Sequence, residues 1–246
     1  MSIKKRIKNT LFKLGYVVRH VHPDETGYDP FKDMSRLTNV ESGAVLFDVG
    51  ANIGQTVALF REYFKCPVIH SFEPSPSTFE KLQAQTRGLP DLHLNNVGLG
   101  SHPGQLTFHE HVNSAHSSFL AAGEDFVGGG QTIGQVRIDV NTIDAYCSQA
   151  GVTHIDVLKT DTQGFDYEVL KGASEILRQH RVHLIFIELQ VLDSYVGGGR
   201  FEDTYRFLKD VGFLPMAFYK QTHHGAYLAP LAEIDGLFID PKWKAA

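Results

Sequence analysis

The sequence predicts a single α/β domain built on a mostly parallel sheet of about seven strands, with helices on both faces. Short apolar runs alternate with helical patterns, which is typical of a parallel sheet with crossover helices. The 246 residues are 42% hydrophobic and 21% charged, which suits one substantial core. No repeat or linker divides the chain. The apolar runs lie at 45–49, 68–72, 92–97, 155–160 and 182–187.

Residues 1–44 are predicted to form a helix and a lead-in segment before the domain, which is assigned to residues 45–246. Within 3–14, a row of apolar residues falls on one side of a helix and five basic residues occupy the rest. Two interpretations stay open: the apolar side packs on the domain, or the helix makes weak contact with anionic lipid. Residues 20–42 are rich in turn formers and are expected to cross the mouth of a ligand site. The apolar row consists of Ile3, Ile7, Leu11 and Leu14.

The stretch 45–56 combines an apolar strand, a glycine turn and the start of a helix. Such a turn offers backbone N–H groups and a helix N-terminus to a polar ligand. Asn52 replaces the second glycine of the dinucleotide fingerprint, and Asp48 at the strand end would repel a pyrophosphate. A cationic or hydroxyl-bearing ligand is therefore favoured.

The second strand ends at Glu73, 25 residues after Asp48. A carboxylate at this place can accept hydrogen bonds from both hydroxyls of a ribose. The third strand is followed by Asn96, which either reads an adenine or ribose edge or serves as a turn residue. Runs at 105–111 and 136–140 alternate as a β-hairpin, inserted with a long connection at 113–134 that has glycines at positions 123, 128, 129 and 130.

The segment 155–173 is also informative. Asp161 follows a predicted apolar strand at 155–160, and the next predicted strand ends at Glu188. Ligands in open α/β sheets collect at these carboxyl ends, so both acids are placed on the same rim as Asp48 and Glu73. Three roles stay open for Asp161 and Glu188: a general base for a hydroxyl, ligands of Mg²⁺, or structural hydrogen bonding. Residues 195–200 are expected to form a flexible loop, for which two interpretations stay open. Either residues 197–200 close over a bound substrate, with Tyr195 or Arg200 touching it, or the segment is a plain connection before the next helix.

The motifs FDVGANIGQT, SFEPSPSTFEKL, NNVGLGS and LKTDTQGFDYEVLKGA resemble the FkbM-like S-adenosylmethionine-dependent methyltransferases. The resemblance runs from Val45 to Ile239 and implies a Rossmann-like class I methyltransferase domain. Members typically O-methylate sugars, glycans or natural-product hydroxyls. This chain departs from the family at Gln163 and Asp166, where Glu is common, so a carboxylate role at position 163 does not carry over.

The resemblance implies S-adenosylmethionine as cofactor, with Asp161 and Glu188 as the catalytic candidates. The predicted cofactor-binding residues are Asp48, Gly50, Ala51, Asn52, Gly54, Gln55, Thr56, Glu73, Pro74, Asn96, Gly98, Ser118 and Asp161. The function predicted is O-methylation of a sugar, glycan or related natural product. One alternative is a non-catalytic cofactor-binding partner of a glycan-synthesis enzyme. Another is a nicotinamide-dependent oxidoreductase, which the broken glycine pattern disfavours.

Composition limits the compartment and the partners. The net charge of −5 does not favour nucleic acid, so a small-molecule or glycan acceptor is expected. The two cysteines are too few for a disulfide framework. No apolar run reaches the roughly 18–20 residues of a membrane span, and no secretory signal is recognised. A cytoplasmic protein is expected.

Overall fold

The computed structural model describes residues 3–16, 22, 25–126, 131–223 and 229–243. The helices are α1 (Ile3–Lys13), α2 (Pro30–Thr38), α3 (Gln55–Tyr63), α4 (Pro76–Gln85), α5 (Ile143–Ala150), α6 (Asp166–Lys171), α7 (Ser174–Arg178) and α8 (Phe201–Asp210), with a 3-10 turn η1 (Ser114–His116). The strands are β1 (Val45–Val49), β2 (Val68–Phe72), β3 (Leu92–Asn95), β4 (Gly98–Leu99), β5 (Gly104–His111), β6 (Thr132–Asn141), β7 (Ile155–Thr160), β8 (Val182–Gln190), β9 (Leu214–His223) and β10 (Leu231–Ile239).

Seven strands form the main sheet in the order β3-β2-β1-β7-β8-β10-β9. β10 pairs antiparallel with both of its neighbours, and the other pairs are parallel. Every residue of β8 is buried, because helices cover both faces of a central parallel strand. The predicted fold class, a mostly parallel α/β sheet of seven strands, is confirmed.

Two apolar clusters fill the two faces of this sheet. One cluster includes Phe47, Leu158 and Phe213 and lies on the side of α5 to α8. The other includes Met34, Phe60 and Leu184 and lies on the side of α2 and α3. Helices on opposite faces thus hold the strands in one layer and leave their carboxyl ends free to carry polar groups.

Helix α2 replaces the turn-rich crossing that was predicted for residues 20–42. Asp29 accepts from the backbone N–H groups of Phe31 and Lys32, and Pro30 occupies the first helical position, so a helix starts here. Met34 of α2 is fully buried. The core therefore extends N-terminal of residue 45 and includes a helix where turns were predicted. The division of the chain at residue 45 stays a prediction.

The predicted hairpin is confirmed as β5 paired with β6. It joins β4 in a separate three-stranded sheet of order β4-β6-β5 instead of entering the main sheet. The connection after β5 turns back on it, because the backbone groups of His109 and Ser118 exchange two hydrogen bonds, N···O 2.8 and 3.1 Å. Residues 128–130 of the glycine-rich connection lie outside the described residues.

Helix α1 forms where the sequence predicts it, but it does not pack on the domain. The side chains of residues 5–10 and 12–16 are exposed, including Ile7 and Leu14. Within the described ranges, no helix is long and apolar enough to cross a membrane. Cys66 and Cys147 are both free thiols.

Candidate active site

A cavity opens at the carboxyl ends of β1, β2 and β7, and encloses about 960 Å³ including the open space at its mouth. Residues from the glycine turn, from the end of β2 and from the start of the segment after β7 form its floor. The three-stranded sheet and η1 cover one side. The lining residues are Val49, Gly50, Ala51, Asn52, Gln55, Thr56, Phe72, Glu73, Pro74, Val97, Gly98, Leu99, Phe108, Ser114, Ala115, Ser117, Phe119, Lys159, Asp161, Thr162 and Gln163.

The glycine turn places its backbone directly against the neighbouring strands. The N–H groups of Gly50 and Ala51 both donate to the carbonyl of Phe72, at 3.0 Å each. Gly50 has φ +80°, and a Cβ there would lie 2.0 Å from the carbonyl oxygen of Asp161. Only glycine therefore fits where the turn after β1 meets the backbone just after β7. Asn52 also adopts a left-handed φ, of 48°.

Glu73 stands at the end of β2 with its carboxylate held by two backbone donors. Its Oε2 accepts from the N–H of Asn52 at 2.9 Å, and its Oε1 accepts from the N–H of Ser75 at 2.9 Å. Burial raises the pKa of Glu73 to about 7, against the opposing effect of these two donors. Each oxygen keeps a further lone pair, so the group can still accept from a ligand hydroxyl.

Asp48 and Lys159 form a buried ion pair beneath the cavity. Their Oδ1 and Nζ atoms are 3.0 Å apart, because the two residues are opposite each other in the pairing of β1 with β7. Lys159 also donates to the carbonyl of Gly50 at 3.3 Å. Burial alone would lower the pKa of Lys159, but the charges of Asp48 and Asp161 outweigh it and raise the pKa. Asp48 itself does not line the cavity, whereas Lys159 does.

Asp161 directly follows β7, as predicted, whereas Glu188 lies inside the neighbouring β8, which continues to Gln190. Only Asp161 lines the cavity. The Asp161 side chain is 42% exposed, whereas Glu188 is 6% exposed. Burial, and then the charge of Asp161, raise the pKa of Glu188 well above its usual value. The predicted pair of carboxylates facing the ligand is wrong for Glu188, because the Gln163 side chain lies between it and Asp161.

Gln163 connects these groups. Its Nε2 donates to Oδ1 of Asp161 at 3.0 Å and to Oε2 of Glu188 at 3.1 Å. The hydroxyl of Tyr195 donates to Oε1 of Gln163 at 2.7 Å, and the hydroxyl of Ser118 donates to its backbone carbonyl at 2.8 Å. All the polar atoms of the side chain are thus engaged, although the residue has a strained φ of 55°.

Besides Asp48, three predicted binding residues do not line the cavity: Gly54, Asn96 and Ser118. Gly54, with φ +99°, caps helix α3 and packs close to Leu82 and Thr86. The Asn96 side chain donates to the carbonyls of Glu73 and Pro74, at 2.9 and 3.0 Å, and so shapes the loop after β2. Ser118 is fully buried. Each of them supports the lining instead of forming it.

The predicted loop over the acceptor is partly anchored. Tyr195 is buried with its hydroxyl on Gln163. Arg200 is exposed and donates to Asp193 at 3.3 Å. Closure of residues 197–200 over an acceptor stays a prediction.

The sequence interpretation missed the wall that the three-stranded sheet contributes. Phe108, Ser114, Ala115, Ser117 and Phe119 come from the hairpin and its connection. The hydroxyl of Ser114 donates to Oδ1 of Asn52 at 2.9 Å and ties this wall to the glycine turn. Only contacts far apart in the chain place these residues, so no local motif could indicate them.

No group of three or more His, Cys, Asp or Glu residues is arranged to hold a metal in the part of the chain that the structure describes. The Mg²⁺ interpretation of Asp161 and Glu188 stays a prediction. In this structure the Gln163 amide, which donates to both, takes the position between them.

Comparison with known proteins identifies relatives of this chain. The 2-O-methyltransferase NoeI of Sinorhizobium fredii is 24% identical over 162 residues, which cover 62% of this chain and 66% of NoeI. The hexuronic acid methyltransferase AglP of Haloferax volcanii is 27% identical over 154 residues, covering 62% of this chain and 59% of AglP. The chain thus spans slightly less than two thirds of NoeI and about three fifths of AglP. The crystal structure of methyltransferase FkbM from Methylobacillus flagellatus aligns with a TM-score of 0.47 at 16% identity, over 87% of this chain and 48% of the other.

The model of the Methyltransferase FkbM domain matches residues 48–215, from the end of β1 into β9. This range is more than half of the chain and includes the glycine turn, Glu73, Asp161 and Glu188. The domain has the predicted α/β architecture, a mostly parallel seven-stranded sheet with helices on both faces. The chain belongs to the FkbM methyltransferase family.

Proposed function

We propose that this chain is an S-adenosylmethionine-dependent O-methyltransferase that acts on a hydroxyl of a sugar, glycan or related natural product. One observation carries the proposal. A single cavity holds the carboxylate of Glu73 at one strand end, the half-exposed carboxylate of Asp161 at another, and the glycine turn between them.

The residues of the cavity fit the cofactor. Glu73 has lone pairs left for two ribose hydroxyls, and Val97, Leu99 and Phe119 supply an apolar wall suited to a purine ring. The turn from Gly50 to Asn52 would hold the amino-acid end beside the buried ion pair of Asp48 with Lys159. When bound, S-adenosylmethionine supplies an electrophilic methyl group on a sulfonium.

Asp161 is the proposed proton acceptor for the substrate hydroxyl. Its carboxylate is accessible, and the Gln163 amide at 3.0 Å orients it. A carboxylate is a weak base toward an alcohol, so it accepts the proton late, when the oxygen has already lost electron density. Nζ of Lys159 lies 3.9 Å from Oδ2 of Asp161.

Glu188 is assigned a positioning role. Burial, and then the charge of Asp161, raise the pKa of Glu188 well above that of an exposed carboxyl group. Glu188 is 6% exposed and does not line the cavity, so it is not placed to take the hydroxyl proton. It still accepts from Gln163 and from Gln190, at 3.1 and 3.0 Å, and so holds the Gln163 amide toward Asp161.

The acceptor class is supported by the names of two relatives. NoeI is described as a 2-O-methyltransferase and AglP as a hexuronic acid methyltransferase. A sugar hydroxyl, including one on a uronic acid, is therefore the proposed acceptor.

Calorimetry and turnover test the proposal separately. S-adenosylhomocysteine should bind in the calorimeter, whereas NAD should give no heat. Methyl-labelled S-adenosylmethionine with a panel of uronic-acid and neutral glycans should label at least one glycan. Binding without labelling of any hydroxyl acceptor would instead support a non-catalytic partner, and preferential binding of NAD would support an oxidoreductase.

A further inference from the structure

We propose that helix α1 docks the protein on an anionic membrane surface. The helix has no partner among the described residues: the side chains of residues 5–10 and 12–16 are exposed. Ile7 is 54% exposed and Leu14 is 67% exposed. The interpretation in which the apolar side packs on the domain is therefore not realised in this structure.

Positive charge is concentrated in the N-terminal segment that contains this helix. Six of the 23 basic residues precede Asp24, which is the first acidic residue, and the other 17 share the remaining chain with all 28 acidic residues. Lys5, Arg6, Lys8 and Lys13 make no ion pair with any residue that the structure describes. A positive segment thus extends from an acidic protein.

The shape of α1 suits a helix that lies in the membrane interface. Its 11 residues span about 16 Å at about 1.5 Å per residue, which is too short to cross a bilayer. The sequence places Ile7, Leu11 and Leu14 along one side, with Lys5 and Lys8 outside this row. Such helices bind by burying their apolar residues among the acyl chains, while their lysines lie at the level of the anionic headgroups.

The combination of charge and an apolar row selects lipid over other partners. A nucleic acid would bind through the charges alone and would leave the apolar row in water. A second copy of the helix would bring like charges together. An anionic lipid surface engages both features at once, since it pairs headgroups with the basic residues and buries the apolar row.

The experiment measures binding of the full chain to vesicles by co-sedimentation. Vesicles of phosphatidylcholine alone are compared with vesicles that also contain phosphatidylglycerol, at low and high salt. We expect binding only to the anionic vesicles, weakened by salt. At about 1 kcal/mol per basic residue near the surface, Lys5→Glu with Lys8→Glu should weaken binding by roughly 30-fold or more.

Two further variants make the test specific. Ile7→Ser with Leu14→Ser keeps every charge and should also reduce vesicle binding at least tenfold. Lys65→Glu with Lys81→Glu makes the same charge change at exposed positions of the domain and should leave binding unaltered. All three double variants should keep the thermal midpoint, because none of the changed residues is buried.

Three results would overturn the proposal. The first is equal binding to neutral vesicles or none to anionic ones. The second is an equal loss in the control pair at positions 65 and 81. The third is full vesicle binding by the Ile7 and Leu14 variant together with equally tight binding of mixed-sequence RNA, which would mark a general polyanion site.

Discussion

Asp161 and Glu188 are joined by a single amide group, since Nε2 of Gln163 lies 3.0 Å from Oδ1 of Asp161 and 3.1 Å from Oε2 of Glu188. The two hydrogens of this nitrogen satisfy one oxygen of each acid. The acids differ in exposure, and the proposed roles follow this difference: the accessible Asp161 is the proposed proton acceptor, and the buried Glu188 is proposed to hold the Gln163 amide.

Replacement of Asp161 by Asn should abolish proton acceptance while keeping the side-chain shape. We expect kcat to fall by roughly 10²–10⁴, with the affinity for S-adenosylhomocysteine changed far less. Single-turnover rates and calorimetry check the two parts. If the variant turns over normally, Asp161 is structural. A chelator that abolishes wild-type activity, with recovery on adding Mg²⁺, would replace the direct base by a metal.

Replacement of Glu188 by Gln tests the opposite expectation. Gln reproduces the neutral, hydrogen-bonding form that burial favours, so kcat should change less than tenfold, whereas Glu188→Ala should lower both kcat and the thermal midpoint. The comparison is made at neutral pH against Asp161→Asn. If kcat falls as much in Glu188→Gln as in Asp161→Asn, Glu188 would be a candidate for the base.

Glu73 should make cofactor binding depend on pH. The ionised carboxylate is the better acceptor for ribose hydroxyls, and its pKa without ligand is about 7. The affinity for S-adenosylhomocysteine should therefore fall as the pH drops through this value. Glu73→Gln should bind at least tenfold more weakly at pH about 8 and lose this pH dependence. Calorimetry across pH measures both, and a wild-type profile retained in the variant would assign the dependence to another group.

The same shift has a consequence for the stability of the ligand-free protein. The pKa of Glu73 is raised from 4.5 to about 7 on folding, so the folded protein holds this proton more tightly than the unfolded chain does. The contribution of Glu73 is most favourable below 4.5 and is lost as the pH rises toward 7. Denaturant midpoints of the wild type should decline over this window relative to those of Glu73→Gln.

Gly50 and Gly43 form a matched pair for the effect of close backbone approach. Both have a positive φ, of 80° and 78°, but a Cβ at Gly43 would meet nothing within 4 Å. Gly43→Ala should cost only the conformational strain, about 1–2 kcal/mol of unfolding free energy. Gly50→Ala should cost several kcal/mol more, because β1 and β7 must separate. Urea unfolding measures both free energies. Equal losses of unfolding free energy in the two variants would contradict the idea that the close contact at Gly50 excludes a side chain.

Most of the fold follows from local patterns. The apolar runs that became β1, β2, β7 and β8 are buried on both faces, so their sequences read clearly as strands. Helix α2 was missed because Asp29 and Pro30 were counted as turn formers, although the same two residues also begin a helix. Whether Asp29 and Pro30 form a turn or begin a helix depends on the packing of Met34 in the core, which is a tertiary contact.

The site was predictable where a strand ends and less so elsewhere. Glu73 and Asp161 come directly after apolar runs, and the sheet topology brings them together. Lys159 was missed although it interrupts the apolar run of β7. A buried lysine requires a partner, and the register that pairs it with Asp48 is not visible in either strand alone. Residues of the hairpin wall, such as Ser114, depend on contacts more than 60 positions apart, as in its 2.9 Å bond to Asn52.

The contact between Gly50 and the carbonyl of Asp161 bears on how this sequence motif is to be understood in evolution. Any side chain at position 50 would push two central strands apart, so selection for folding alone is enough to retain the glycine. A descendant that lost its ligand would still carry Gly50, while Glu73 and Asp161, which face the open cavity, would be free to drift. Gly50 in a related sequence therefore indicates a shared fold and descent. Glu73 and Asp161 in that sequence would indicate that the site is still used.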